Sequence, residues 1–387
     1  MANNNENKIL NVPNLRFPEF CGEWSVSTIG KEFDLYSGNT PSRLDKEQFK
    51  GGINWISSGE LKEHYICDTK EKITEEAANS NNLKLLPIGT FVIAIYGLEA
   101  EGVRGTCSIT QKLSTISQAC MAFTSIGNVS NEFLYSWYKK HGNVIGLKYA
   151  QGTKQQNLSY DIISQFNILF PQKQEQEKLQ RFISLLDERI ATQNKIIEDL
   201  KKLKSAIYQK LFSHLQGEER SLSELAEIIK GQQINGSELS ESGKYYVMNG
   251  GIAPSGYYDS YNTETDTISI SEGGNSCGYV QYNNSAFWSG GHCYTLRIKP
   301  TTPILTTFLF HFLKWKEPDI MALRIGSGLP NIQKKDLSKV CIIVPTLDEQ
   351  QQLIALLSTF QMKIEYEEMY TANLDKQKQY LLSQMFI

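Results

Sequence analysis

Apolar residues recur in alternating steps of three and four through residues 171–212. Leu179, Ile183, Leu186, Ile190, Ile197, Leu200, Ile207 and Leu211 form a heptad seam, with polar breaks at Gln193 and Lys204. Residues 345–387 repeat the seam through Leu353, Leu357, Phe360, Ile364, Leu374, Leu381 and Met385, broken by Glu367, Thr371 and Lys378. The two stretches align without a gap at an offset of 174 residues, which sets Pro171 on Pro345, Glu175 on Glu349, Gln176 on Gln350, Ser184 on Ser358, Lys202 on Lys376 and Phe212 on Phe386. Neither helix is interrupted by Gly or Pro. At 1.5 Å per residue, a helix of about forty residues is roughly 60 Å long and projects beyond any single domain, so it needs an equally long partner. Charge points to the other copy. Residues 171–212 hold nine Lys/Arg against six Asp/Glu, and residues 345–387 hold three against six. Residues 213–220 span at most about 28 Å at about 3.5 Å each, so a second globular domain starts near the far end of the first helix. The second helix is therefore expected to run back antiparallel, giving a rod with one domain at each end and an approximate two-fold axis.

Between the helices the pattern is that of a mixed globule. Val26, Ile29 and Phe33 fit a short amphipathic helix, followed by a turn-rich loop at 37–43. Residues 53–56, 91–96, 106–109 and 118–123 read as strands, and 131–141 as a helix rich in aromatics. The order recurs in the second half: a helix through Leu222, Leu225 and Ile229, strands at 245–248, 267–271 and 292–298, and an aromatic helix at 307–316. Approaching the long helices the 174 offset tightens, with Gly152 on Gly326, Asn157 on Asn331, Ser164 on Ser338 and Ile168 on Ile342. The expected fold class is α+β: two mixed α/β domains joined by two long antiparallel coiled-coil helices, an internal repeat with pseudo-two-fold symmetry.

Composition narrows the function. At 387 residues, with 40% apolar and 11% aromatic side chains, the chain can build folded cores. Its seven cysteines are scattered and contain no CxxC pair, which argues against a disulfide framework or structural zinc and for a reducing cytoplasm. No signal-peptide pattern or eighteen-residue apolar run is present, so no membrane association is expected. The net charge of −3 is mild evidence against a nucleic-acid partner, although phosphate binding depends on local basic faces. No proline follows Asn or Asp and no two prolines are adjacent, so the Asn/Asp-Pro-Pro-aromatic signature of adenine methyltransferases is missing. There is also no G-x4-G-K-S/T phosphate loop. His292, Cys293 and Cys277 lack the spacing of a metal or nucleophile site. Lys139 with Lys140, and Lys314 with Lys316, recur near the same place in both copies and fit a snorkelling helix face as well as a phosphate contact.

Residues 37–43 (SGNTPSR), 51–61 (GGINWISSGEL) and 152–157 (GTKQQN), together with the Pro-x3-Glu-Gln starts at Pro171 and Pro345, resemble the DNA specificity subunits of type I restriction-modification systems. The likeness covers nearly the whole chain, with one departure: the second copy reads GQQINGSE at 231–238 where the first has SGNTPSR. It implies target-recognition domains at 1–170 and 213–344 and spacer helices at 171–212 and 345–387. It also implies a non-catalytic chain without a cofactor of its own. The partners implied are double-stranded DNA with a split recognition site, two methyltransferase subunits, and restriction subunits with motor and nuclease activity. S-adenosylmethionine, ATP and Mg are then expected on those partner subunits. Loops at strand ends that carry polar side chains and glycines suit contact with phosphates and base edges. The DNA-contact candidates are Arg43, Tyr96, Arg104, Lys154, Gln155 and Gln156 in the first domain, and Asn249, Asn275, His292, Gln333, Lys334 and Lys335 in the second. Two other readings use the same residues: a coiled-coil adaptor with two protein-binding heads and no DNA sequence preference, and an enzyme acting on DNA alone.

Overall fold

The computed structural model describes residues 11–100, 102–152, 156–326, 328 and 330–387. The chain divides into two compact units, Met1–Gln193 with Tyr370–Ile387, and Asn194–Met369. Each unit takes a globule together with segments of both long helices, whereas the sequence boundaries at 170, 212 and 344 set helix apart from globule. The reason is packing. In the first unit Leu179, Ile183, Leu382 and Met385 of the helices belong to the same buried cluster as Phe91, Phe123 and Phe133 of the globule.

The first unit is built on a five-stranded sheet in the order Phe33–Ser37, Cys120–Ser125, Phe91–Ala94, Cys107–Thr110, Tyr65–Ile66, antiparallel except for the last pair. The run FVIA at 91–94 is apolar throughout because both of its faces are buried. Phe91 and Ile93 face the helix Asn131–Tyr149, and Val92 and Ala94 face Ile56 and Ile116 of a smaller three-stranded sheet. The second unit has a four-stranded antiparallel sheet in the order Ala226–Lys230, Cys293–Ile298, Thr267–Ser271, Val280–Asn283, covered by the aromatic helix Thr306–Trp315.

One element type differs from expectation in both units. Val26, Ile29 and Phe33 do not share a helix: Ser25–Thr28 is a strand paired with Asn167–Phe170, Ile29–Glu32 is a single helical turn, and Phe33–Ser37 is a strand. Ile29 and Phe33 are buried while Val26 is 56% exposed, so the three-four spacing there is not one helical face. Leu222–Leu225 is likewise one turn, and Ile229 lies on the strand Ala226–Lys230.

The long helices are Lys173–Ser213 and Leu347–Met385. Within each unit they run antiparallel. In the first, Asp187 pairs with Lys378 and Arg189 donates to the Tyr370 hydroxyl at 2.6 Å. In the second, Lys201 pairs with Glu368 at 2.6 Å and Lys204 donates to Gln361 at 2.5 Å, so numbers rise on one helix as they fall on the other. The ion pairs run in both directions, since the more basic helix supplies the carboxylate of Asp187.

Gln176 and Gln350 show why the Pro-x3-Glu-Gln start repeats. The buried Gln176 amide donates to the carbonyls of Asn128 and Pro171 at 2.9 Å and accepts from Ser130 N–H at 3.1 Å. Gln350 donates to Pro303 and Pro345 at 2.8 and 2.9 Å and accepts from Leu305 N–H at 2.8 Å. Each glutamine fixes the first turn of its long helix to the chain entering the aromatic helix. The preceding glutamates have different jobs. Glu175 holds Arg16 through two bonds of 2.8 and 2.7 Å, and Glu349 caps its own helix by accepting from Thr346.

Candidate nucleic-acid interface

In each unit, loops leave one end of the main sheet through a ladder of backbone hydrogen bonds, and the two ladders correspond bond for bond. In the first unit Gly38 N–H donates to Cys120, Ile95 to Ala119, Leu158 to Ile95 and Leu98 to Gln156. In the second, Gly231 N–H donates to Cys293, Glu272 to His292, Ile332 to Glu272 and Gly274 to Pro330. The bridges Gln151–Asn157 and Tyr96–Asn157 recur as Ile325–Asn331 and Gly273–Asn331. Strand register agrees, with Ser37 opposite Met121 and Lys230 opposite Tyr294. Gly38 and Gly231 occupy one position, although the motifs around them have diverged. A Cβ on Gly38 would overlap the Ile116 carbonyl oxygen, and one on Gly231 the Gly290 carbonyl oxygen, so the close chain crossing requires glycine in both units.

Several sequence candidates lie on this frame. Tyr96 lines a cleft of about 480 Å³ with Ser37, Met121, Gln151, Asn157 and Tyr160, and the backbone of Gln156 closes its loop by donating to Glu99 at 2.9 Å. Lys154 and Gln155 lie outside the described residues. In the second unit Asn249 Oδ1 accepts from His292 N–H at 3.2 Å, Asn275 is exposed one residue beyond Gly274, and Gln333 follows Ile332 on the ladder. Gln333, Lys334 and Lys335 are exposed, and no ion pair engages either lysine among the described residues.

Two candidates have structural attachments. The Arg43 guanidinium pairs with Glu71 and stacks 4.7 and 5.0 Å from the Phe49 and Trp55 ring centres, leaving its side chain about half exposed. Arg104 donates to the Leu98 and Glu99 carbonyls at 3.2 Å and to Asn143 at 3.4 Å, bracing Leu98 and Glu99 on the helix Asn131–Tyr149. The paired lysines near the aromatic helices are also tied down: Lys140 donates to the Phe386 and Ser383 carbonyls at 2.6 and 3.2 Å, capping the second long helix, and Lys314 pairs with Glu317 at 2.6 Å.

Lys230, Glu272 and Tyr294 escaped the sequence reading. Lys230 ends a strand that the spacing presents as helix, and Glu272 stands between a buried strand and Gly273. A charged residue directly following the strand pattern Thr-Ile-Ser-Ile-Ser of 267–271 was the available signal.

Burial pushes the Cys293 thiol up to about 11, so it is a poor nucleophile beside the exposed His292. Among the described residues no group of three or more His, Cys, Asp or Glu side chains could hold a metal ion, and no helix is long and apolar enough to cross a membrane.

Comparison with known proteins agrees with this geometry. Residues 22–202 and 216–375 match the type I restriction modification DNA specificity domain. The chain is 34% identical over 158 residues to S.MpnORF638P of Mycoplasma pneumoniae, covering 41% of this chain and 42% of that one. It is 28% identical over 187 residues to the type I restriction enzyme EcoR124I/EcoR124II specificity subunit of Escherichia coli, covering 48% and 45%. It thus spans less than half the length of these relatives. The crystal structure of the type-I restriction-modification S subunit from M. genitalium has the same fold, with a TM-score of 0.61, 22% identity, and coverage of 97% of this chain and 99% of that one. With two matched segments that together take in most of its length, the chain belongs to the type I restriction modification DNA specificity domain family.

Proposed function

We propose that this chain is the sequence-reading subunit of a type I restriction-modification complex. Each unit reads one half of a split site on double-stranded DNA, and two methyltransferase subunits and restriction subunits supply adenine methylation and cleavage. The observation that carries this reading is the repeated backbone ladder with different side chains at its exposed end. Such a frame holds loops in a fixed geometry while leaving their chemistry free to suit two unlike base sequences. The exposed Lys334 and Lys335 suit phosphate contacts. An adaptor without sequence preference gives no reason for one backbone frame to carry unlike side chains at its exposed end, and both matched segments match the DNA specificity domain.

The test is single-molecule methylation sequencing of DNA from cells that co-express the chain with its cognate methyltransferase subunit. The expected result is one split motif with N6-methyladenine on each strand. A stable complex that methylates no defined motif would refute the proposal.

A further inference from the structure

The correspondence of the ladders makes four side-chain positions comparable between the units. Ser37, Ile95, Ala119 and Met121 in the first stand where Lys230, Glu272, His292 and Tyr294 stand in the second. The first set carries no charge, and three of its members line the open cleft. The second set is a polar cluster. Lys230 Nζ lies 2.8 Å from Glu272 Oε1, and the Tyr294 hydroxyl donates to that same oxygen at 2.9 Å. Glu272 Oε2 is buried and has no hydrogen-bond partner among the described residues, and His292 Nδ1 lies 3.9 Å from it.

A structural role does not account for this cluster. The same ladder forms in the first unit with none of the four polar groups, so the frame does not need them. An ion pair with an exposed lysine stabilises little, whereas a buried carboxylate oxygen left unpartnered is costly. The groups around Glu272 are poised for access: the Lys230 side chain is 55% exposed and that of His292 62%, against 12% for Glu272. The exposed imidazole of His292 stands beside Oε2, and the lysine beside Oε1. The result is a hydrogen-bond acceptor and a donor side by side at the loop end.

We infer that Lys230 and Glu272 read a G·C base pair in the half-site taken by the second unit. Lys230 donates to guanine O6 or N7 in the major groove, and Glu272 Oε2 accepts from the cytosine N4 amino group, the pairing those two base edges favour. Thymine, with a methyl group and O4 in that place, offers the carboxylate no donor. This rests on the proposed DNA-reading function and adds to it a base-pair identity at one position. The first unit has no charged side chain at the matching positions and cannot read its half-site in this way.

The experiment compares the wild-type chain with Glu272→Gln and Lys230→Ser, each co-expressed in full length with the methyltransferase subunit, by methylation sequencing. Lys230→Ser installs the side chain that the first unit carries at that position, which the frame accommodates. The expected outcome is relaxation at one position, a G·C pair in the wild-type motif and the same position for both variants. Its preference there falls about tenfold to a hundredfold, and the other half-site is unchanged. An unchanged motif in both variants overturns the inference, as does relaxation at an A·T pair. Loss of methylation at every site by both variants, with unfolding midpoints also lowered, would make the cluster structural and overturn it too. A wild-type chain that directs no motif removes the proposed function itself, whereas a wild-type motif indifferent to both substitutions removes this inference alone.

Discussion

Replacing Gln350 with leucine exchanges a buried amide for an apolar side chain of similar size, and the structure gives the cost. Gln350 is 0% exposed and makes three hydrogen bonds, to the carbonyls of Pro303 and Pro345 and from the amide of Leu305. A typical bond contributes about 1 kcal/mol net, and the buried Pro345 carbonyl left unsatisfied costs about 1–3 kcal/mol. Gln350→Leu is therefore expected to destabilise the second unit by about 3–5 kcal/mol. For a unit of this size that lowers its unfolding midpoint by roughly 10 °C. Gln176→Leu repeats the experiment in the first unit, where a 1% exposed amide makes the equivalent three bonds. Gln350→Glu separates shape from chemistry, because a carboxylate keeps the acceptor for Leu305 but cannot donate to two carbonyls. Scanning calorimetry on the full chain resolves which transition moves. A loss below 1 kcal/mol for either leucine variant, or a Gln350→Glu chain as stable as wild type, would refute the view that these glutamines fix the helix starts.

Three further expectations follow from charged groups. Arg16→Ala removes the cation facing the Glu175 carboxylate, whose side chain is 1% exposed and keeps the Trp24 indole N–H at 3.3 Å, and is expected to cost the first unit about 3–5 kcal/mol in denaturant unfolding; a change under 1 kcal/mol would contradict this. His311 is pushed down to about 4 by burial and by Lys204, with its ring 2.5 Å from the Tyr208 hydroxyl. Between its unfolded value near 6.5 and about 4 the unfolded chain binds the extra proton, so the second unit loses stability as pH falls through that window; His311→Phe should flatten the dependence, and an unaltered slope would exclude His311 as its source. His64 moves the other way: burial works to lower it, but Asp187 and Glu132 more than reverse that and raise it. Its stabilising contribution is complete below the unfolded value and fades as pH rises through the folded one, so an NMR titration should place the His64 midpoint above its ordinary value, and Asp187→Asn should lower it.

The parts legible in the sequence are those where a side chain has one buried task. The heptad seams and the glutamines at 176 and 350 repeat at a fixed offset because each must fit the same internal surroundings, and the bridges Gln151–Asn157 and Ile325–Asn331 share that offset for the same reason. Gly38 and Gly231 perform one task as well, but insertions between the strands break the offset and hide the match. The helix expected at Val26, Ile29 and Phe33 failed because pairing with Asn167–Phe170 overrides a three-residue periodicity. Of the candidate contacts, Tyr96, Gln156 and His292 fall on the ladder, and Asn249 joins it through its side chain, because glycine-bearing loops beside a buried strand are a usable signal. Arg43 and Arg104 share that signal, yet their guanidinium groups are engaged by Glu71 and by the Leu98 and Glu99 carbonyls, partners that only the fold brings near.

The two ladders also explain how one architecture tolerates two chemistries. Every rung joins a backbone N–H to a backbone carbonyl, so a non-proline substitution at a rung leaves the bond in place except at the glycines: Gly38 and Gly231, where the crossing chain excludes a Cβ, and Gly274, whose φ of +75° favours glycine. Side chains at the open end are held in position without being held in identity. The helix starts behave in the opposite way: there the bonds belong to the side chains of Gln176 and Gln350, and identity is fixed with position. The same separation of backbone from side-chain hydrogen bonding accounts for both the constancy of the helix starts and the change from Ile95 to Glu272 at the loop end. A loop end built on backbone rungs can change its side chains one residue at a time without refolding the unit that carries it.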